Sequence, residues 1–149
     1  MGSTSFILLL FLTCSAYSAQ ELIKFTISSY ILPDKKLQME LDVVTPRTPS
    51  EYAPIVYMSG LAGFLPSYVQ ENLIDSVAES GYIFLTVSKL QSPNPEHITN
   101  SLKSVITWLN ENLQLVLNNR VPGVVADLDN RLILMGHSIA GRIITEYLN

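Results

Sequence analysis

The chain has 149 residues, enough for one domain with a single hydrophobic core. Apolar residues make up 48% of the sequence and charged residues 15%, a composition typical of a folded protein and not of a disordered one. The net charge of −4 gives no support for nucleic acid or an anionic membrane as a partner.

The first 18 residues are predicted to be a secretory signal peptide, which leaves 19–149 as the mature chain. The apolar run Phe6 to Leu12 is too short to span a bilayer, which takes about 20 residues. Ala16 and Ser18 then supply the small residues of a cleavage site. A buried N-terminal strand is the alternative. The only cysteine, Cys14, lies within the removed segment, and no later segment is long and apolar enough to be a membrane span.

A hairpin follows the signal segment. Residues 22–31 are rich in Ile, Phe, Thr and Tyr and predict a strand. A turn at 33–35 comes next, and apolar and polar residues then alternate over 37–43, the period of a half-buried strand. The two strands predict an antiparallel hairpin at a sheet edge. Three prolines over 45–54 predict a loop.

From residue 55 onward, short apolar strands alternate with amphipathic helices. Strands are predicted at 55–58, 82–87 and 132–135, each a continuous apolar run typical of a buried parallel strand. A polar connection is predicted over 118–130. This order indicates an α/β fold, in which a parallel sheet has helices on both faces.

The three helices are predicted from apolar residues at helical spacing. Gly81 lies where the first helix would end in a left-handed residue. The second helix is the longest, and Trp108 on it is expected to lie in the core. The expected apolar faces are Tyr68 or Val69, Leu73, Val77 and Ala78 in the first helix; Ile98, Leu102, Val105, Ile106, Leu109, Leu113, Val116 and Leu117 in the second; and Ile139, Ala140, Ile143, Ile144, Tyr147 and Leu148 in the third.

The segment Gly136-His137-Ser138-Ile139-Ala140-Gly141 joins the last predicted strand to the last helix. A serine in such a sharp turn has its hydroxyl exposed above the sheet edge, where it can act as a nucleophile. The residues two before and two after the serine come into close contact, and Gly136 and Ala140 are both small. The alternative is an ordinary tight turn in which Ser138 only caps the helix. The strand–turn–helix context favours the nucleophile.

A loop at 59–63 follows the first parallel strand and predicts part of an oxyanion hole. Acyl transfer needs two backbone N–H donors directed at the developing oxyanion. One would come from Ile139, directly after the nucleophile. The other would come from Leu61 in the Ser59-Gly60-Leu61 loop, with Gly60 letting the backbone turn. Alternatively, this is an ordinary strand-to-helix loop.

These motifs resemble α/β-hydrolases of the chlorophyllase, dienelactone-hydrolase and polyester-hydrolase-like branch. The similarity runs from about Ile55 to the end and rests on the loop-to-helix segment 59–80, the strand start Gly81-Tyr82-Ile83-Phe84 and the elbow 136–141. The elbow departs from the family pattern in carrying Ile-Ala for Arg-Gly, and the loop carries Ser-Gly for His-Gly or Pro-Gly. The resemblance implies an α/β-hydrolase fold and an ester substrate with a bulky apolar alcohol, such as a phytyl ester or a lipid.

In the family, the acid and the histidine of the triad come after the nucleophile. We therefore expect this chain to be an incomplete, N-terminal part of the fold, which by itself has little or no esterase activity and self-associates or recruits a partner. His137 is expected to pack beneath the elbow, His97 lies on the wrong connection, and Asp127 and Asp129 are predicted turn residues. No cofactor or metal is predicted. The alternative to a secreted serine esterase is a catalytically inactive protein or binding module derived from a hydrolase.

Overall fold

The computed structural model describes residues 20–28, 40–59, 67–88 and 94–148; the predicted signal peptide lies outside these ranges. The described residues form one sheet whose strands are β1 Leu22–Ile27, β2 Glu40–Pro46, β3 Ser50–Met58, β4 Tyr82–Ser88, β5 Val124–Ala126 and β6 Ile133–Gly136. The helices are α1 Glu71–Glu79, preceded by a 3₁₀ turn at Ser67–Gln70, α2 Pro95–Arg120, α3 Leu128–Arg131 and α4 Ile139–Leu148.

The strand order is β1-β2-β4-β3, and both β5 and β6 pair with the remaining edge of β3. β1 and β2 are antiparallel and form the predicted edge hairpin, with Leu22 opposite Pro46. β2 is antiparallel to β4, whereas β3, β4, β5 and β6 are mutually parallel. The predicted α/β architecture is therefore confirmed, with four parallel strands where the sequence indicated three.

The core has two parts, one on each face of the sheet. Neighbouring strand residues point to opposite faces, and the successive residues Phe84 and Leu85 accordingly belong to different clusters. The larger cluster lies under α2 and α4, which contact each other. The smaller lies under α1. The helices thus cover both faces, as predicted.

The long helix α2 has the buried stripe that its sequence predicts, including Trp108, which is 3% exposed. It begins with Pro95 in its first turn, and the Asn94 side chain caps it by accepting a hydrogen bond from the Glu96 amide at 3.0 Å. Within the described residues, no helix combines the length and apolarity needed to cross a lipid bilayer.

The loop predicted at 45–54 is mostly strand. β2 continues to Pro46 and β3 begins at Ser50. On the edge of β3 away from β4, β5 pairs with Ser50–Tyr52 and β6 pairs with Ile55–Met58. Pro54 falls between these two paired stretches. On that edge of β3 no strand pairs with Pro54, so the amide hydrogen that proline lacks is not needed there.

The connection predicted at 118–130 also contains regular structure. Its first residues belong to α2, and β5 and α3 follow the turn at Gly123, which has φ 89°. These elements are three and four residues long. Such short elements show no hydrophobic period, so residue patterns do not predict them.

Two predicted helix faces and one predicted buried strand are wrong in part. Ile74 and Ala78 are the buried residues of α1, whereas Tyr68, Val69 and Leu73 are exposed, because 67–70 is a 3₁₀ turn with a different period. In α4, Ile139 and Leu148 are exposed. β6 is only partly buried, because among the described strands it pairs with β3 alone.

Candidate active site

The backbone bends sharply between β6 and α4. β6 ends at Gly136 and α4 begins at Ile139. Ser138 between them has φ 62°, and among the described residues it is the only non-glycine residue with positive φ. L-residues adopt this left-handed conformation at a cost of about 1–2 kcal/mol. Ser138 is exposed, so the turn presents it to solvent at the carboxyl end of the sheet.

The turn is close-packed against the first residues of α4. A Cβ added to Gly136 would lie 2.7 Å from the Ala140 carbonyl carbon and 2.7 Å from the Gly141 nitrogen, both backbone atoms. Position 136 therefore requires glycine. Gly141 is less constrained, because a Cβ there would meet its nearest atom, the Gly136 oxygen, at 3.4 Å. Ala140 fits with its methyl group, and it is completely buried.

The turn is attached to the neighbouring strand. The His137 amide donates a hydrogen bond to the Met58 carbonyl at 3.1 Å, which continues the pairing of Gly136 with Met58. Ser59, the first residue of the predicted oxyanion loop, follows directly and is 1% exposed. The end of β3 and the turn at Ser138 thus lie side by side. The sequence did not indicate Met58 as an anchor, because any backbone carbonyl can serve.

The predicted oxyanion donors are only partly described. The amides of Ala140 and Gly141 donate to the carbonyls of His137 and Ser138, at 3.3 and 3.1 Å. The Ile139 amide makes no such backbone bond to the described residues. It lies at the amino end of α4, where the helix dipole favours negative charge. Gly60 and Leu61 fall outside the described residues, so the Leu61 donor stays a prediction.

The histidines of the chain do not approach the serine side chain. His137 is exposed, so its predicted packing beneath the turn is wrong. Among the described strands β6 pairs with β3 alone, and no further strand covers His137. His97 is exposed in the first turn of α2. No described side chain hydrogen-bonds the Ser138 hydroxyl.

The sequence predicts Asp127 and Asp129 as turn residues; Asp127 instead caps the short helix α3, and Asp129 lies within it. Asp127 caps α3 by accepting a hydrogen bond from the Asn130 amide, and the Arg131 guanidinium beside it holds the pKa of its carboxyl below the usual range. Its own amide donates to the Tyr52 carbonyl. Met58 follows Tyr52 by six positions along β3, which at about 3.3 Å per residue places Asp127 roughly 20 Å from the turn.

Several solved structures have a similar fold. The structure is similar to esterase B from Lactobacillus rhamnosis, with a TM-score of 0.61 and 17% identity, over 87% of this chain and 39% of that one. It is also similar to a thermostable esterase from Pseudomonas putida, with a TM-score of 0.58 and 19% identity, over 87% of this chain and 38% of that one. The esterase Est22 matches with a TM-score of 0.62 and 14% identity, over 88% of this chain and 39% of that one.

The sheet order, the helices on both faces and the strained turn after β6 define a partial α/β-hydrolase fold. This chain spans about two fifths of the length of the solved esterases that it matches. No curated protein sequence matches it significantly. The sequence profile of the chlorophyllase family matches residues 17–145. The chain belongs to the chlorophyllase family.

Proposed function

We propose that this chain carries the nucleophile and the oxyanion hole of a secreted serine hydrolase that cleaves carboxylic esters. The observation that supports it most is the positive φ of the exposed Ser138, because a cap residue would not need that strain. Ser138 attacks the ester carbonyl, and the amides of Ile139 and Leu61 hold the oxyanion.

The proton transfer requires a histidine and an acid from a part of the protein beyond this sequence. A serine hydroxyl without a general base is a weak nucleophile. Among the described residues neither a histidine nor a carboxylate reaches Ser138, as set out above. The 149 residues by themselves therefore have little or no esterase activity, and a longer form has it.

An ester with an apolar alcohol is the proposed substrate. Membership of the chlorophyllase family and the esterases of similar fold support the ester. The structure of esterase B inhibited by a tributyrin phosphonate shows that a protein of similar fold takes an acylglycerol analogue.

Export is proposed from the signal-like segment 1–18. N-terminal sequencing of the exported protein tests this proposal, with cleavage after Ser18 as the expected result.

The test of the enzyme is covalent labelling of Ser138 by a fluorophosphonate. The transcript is first read past Asn149, where further strands with an Asp and a late His are expected. The extended protein should then be labelled, and the Ser138→Ala variant should not. Ser76→Ala is the matched control, because the Ser76 hydroxyl is exposed on α1 and bonds only the Asn72 carbonyl. An unlabelled extended protein contradicts the proposal.

A catalytically inactive relative is the second candidate. The lack of a base near Ser138 among the described residues favours it. A genuine stop codon after Asn149, together with no labelling of the 149-residue protein, would establish it. The open edge of β6 would then serve binding or self-association instead of supporting further strands.

A further inference from the structure

A cavity of about 260 Å³ lies between the β1–β2 hairpin and α1. Ser138 does not line it, and β3 separates β4, one of its walls, from β6 and the candidate active site. Two of its lining residues, Tyr68 and Glu71, are exposed, so it opens to solvent. Its charged and hydroxyl-bearing residues in strands and α1 are Lys24, Thr26, Asp42, Glu71, Asp75 and Thr86.

The lining is negatively charged. Lys24 donates hydrogen bonds to Glu71 Oε1 at 2.8 Å and to Asp75 Oδ2 at 2.7 Å. This contact raises the pKa of Lys24 and lowers that of Glu71, so both are charged at neutral pH. Asp42 adds a third carboxylate. Three carboxylates against one ammonium group leave two negative charges in excess.

Two buried oxygen atoms of the lining have no hydrogen-bond partner among the described residues. They are Thr86 Oγ1 and Asp75 Oδ1. Thr86 is 1% exposed, in the middle of β4, so its hydroxyl has little contact with bulk water. A buried polar atom without a partner costs about 1–3 kcal/mol, and a ligand that donates hydrogen bonds here would remove that cost.

We propose that the cavity binds the primary ammonium group of a small organic amine, held by Thr86 and Asp75. A primary ammonium has three N–H donors, which matches these two acceptors with one donor to spare, and its charge offsets the excess of carboxylates. Val44 and Ile74, which also line the cavity, receive a short carbon chain. The volume fits a ligand smaller than a drug-sized molecule. This site is independent of ester hydrolysis.

The test is a titration of the full chain with n-butylamine at pH 7, followed by NMR shifts of the backbone amides. The amides of Thr86 and Asp75 should shift and saturate. n-Butanol, which has the same chain without the charge, and tetramethylammonium, which has the charge without N–H donors, should cause no saturable shift. Equal binding of either compound would overturn the proposal.

Substitutions in the cavity lining test where the amine binds. Thr86→Val removes one hydrogen bond to the ammonium group, and Asp75→Asn weakens another by removing the charge of its acceptor; each should weaken binding about tenfold. Glu79→Gln makes the same charge change on the same helix outside the cavity lining and should leave affinity unchanged, as should Ser138→Ala. If Thr86→Val does not fold, the comparison of Asp75→Asn with Glu79→Gln tests the site instead. The site is refuted if these two variants weaken amine binding equally, or if Ser138→Ala abolishes it.

Discussion

Two residues define the turn at the candidate active site, and each does so through its backbone. Gly136 leaves no room for a Cβ, because the backbone of Ala140 and Gly141 lies 2.7 Å from where that atom would be. Ser138 holds a left-handed conformation with φ 62°. The close contact and the strain together fix where the serine is presented, at the end of a strand bonded to β3 through Met58.

The contact at Gly136 predicts an asymmetry between two glycines five residues apart in the chain. Gly136→Ala should destabilise the protein by about 1–3 kcal/mol, the cost of an overpacked site. Gly141→Ala should be neutral or stabilise it by up to about 1 kcal/mol, because Gly141 is helical and its Cβ meets only an ordinary contact. Urea denaturation measures the free energy of unfolding of both variants. Equal stability of the two would contradict the close backbone contact at Gly136.

The backbone strain at Ser138 can be measured by comparing two substitutions at this position, one of which relieves it. Ser138→Gly should be more stable than Ser138→Ala by about 1 kcal/mol, because glycine adopts positive φ without the clash of a Cβ. Both variants lack the hydroxyl, so the comparison isolates the backbone. Thermal denaturation of the pair checks it; identical midpoints would mean that the turn is not strained.

At the level of elements, an ion-pair network attaches α1 to the edge hairpin. Lys24 of β1 reaches both Glu71 and Asp75, which lie one turn apart on α1. This contact crosses from the first strand to the helix that follows the predicted oxyanion loop. On the same helix, Ile74 is buried against the sheet and Leu73 is exposed.

The network predicts how stability depends on pH. Asp75 and Glu71 raise the pKa of Lys24 above its ordinary value of 10.5, and Lys24 lowers the pKa of Glu71 below 4.5. The stabilisation is therefore full between about pH 4.5 and 10.5; it is lost as the pH falls through the lowered pKa of Glu71 or rises through the raised pKa of Lys24. Lys24→Met should remove this dependence in urea titrations.

The effect is modest, because Lys24 and Glu71 side chains are 43% and 59% exposed and solvent screens them. Lys103→Met is the control. Lys103 is exposed on α2 and forms no ion pair with the described residues. A similar change of the pH profile in both variants would show a general charge effect instead.

For the whole molecule, the described sheet has two unpaired edges. β1 at one edge pairs only with β2, and β6 at the other side of the sheet pairs only with β3 among the described strands. Ile133, on β6, is 40% exposed. An unpaired strand with apolar residues is a template for association. We expect the 149-residue chain to self-associate through this edge.

Lysine on the edge should suppress that association. Ile133→Lys places a charge where a second chain would pair, and sedimentation velocity should show less oligomer at the same concentration. Leu115→Lys is the matched control, because Leu115 is 63% exposed on α2 and belongs to no strand. A monomeric wild-type chain, or equal effects of the two lysines, would refute the prediction.

Much of the fold was predictable because its signals are local. The hairpin, the long helix and the glycine at the end of α1 follow from alternation, from a 3.6-residue period and from positive φ. The faces of α1 and α4, and the short elements β5 and α3, were not predictable. They depend on which partners a segment meets, such as Lys24 for α1 and the first residues of β3 for β5.

By itself, the sequence determined the class of fold and the position of the candidate nucleophile, because both depend on residues near each other in the chain. Only the tertiary structure decided the rest. It placed the end of β3 beside the turn, separated Asp127 from Ser138 by the length of a strand, and assembled the acidic cavity from β1, β2, β4 and α1. Such juxtapositions arise from strand pairing between distant segments, which residue patterns along one segment do not encode.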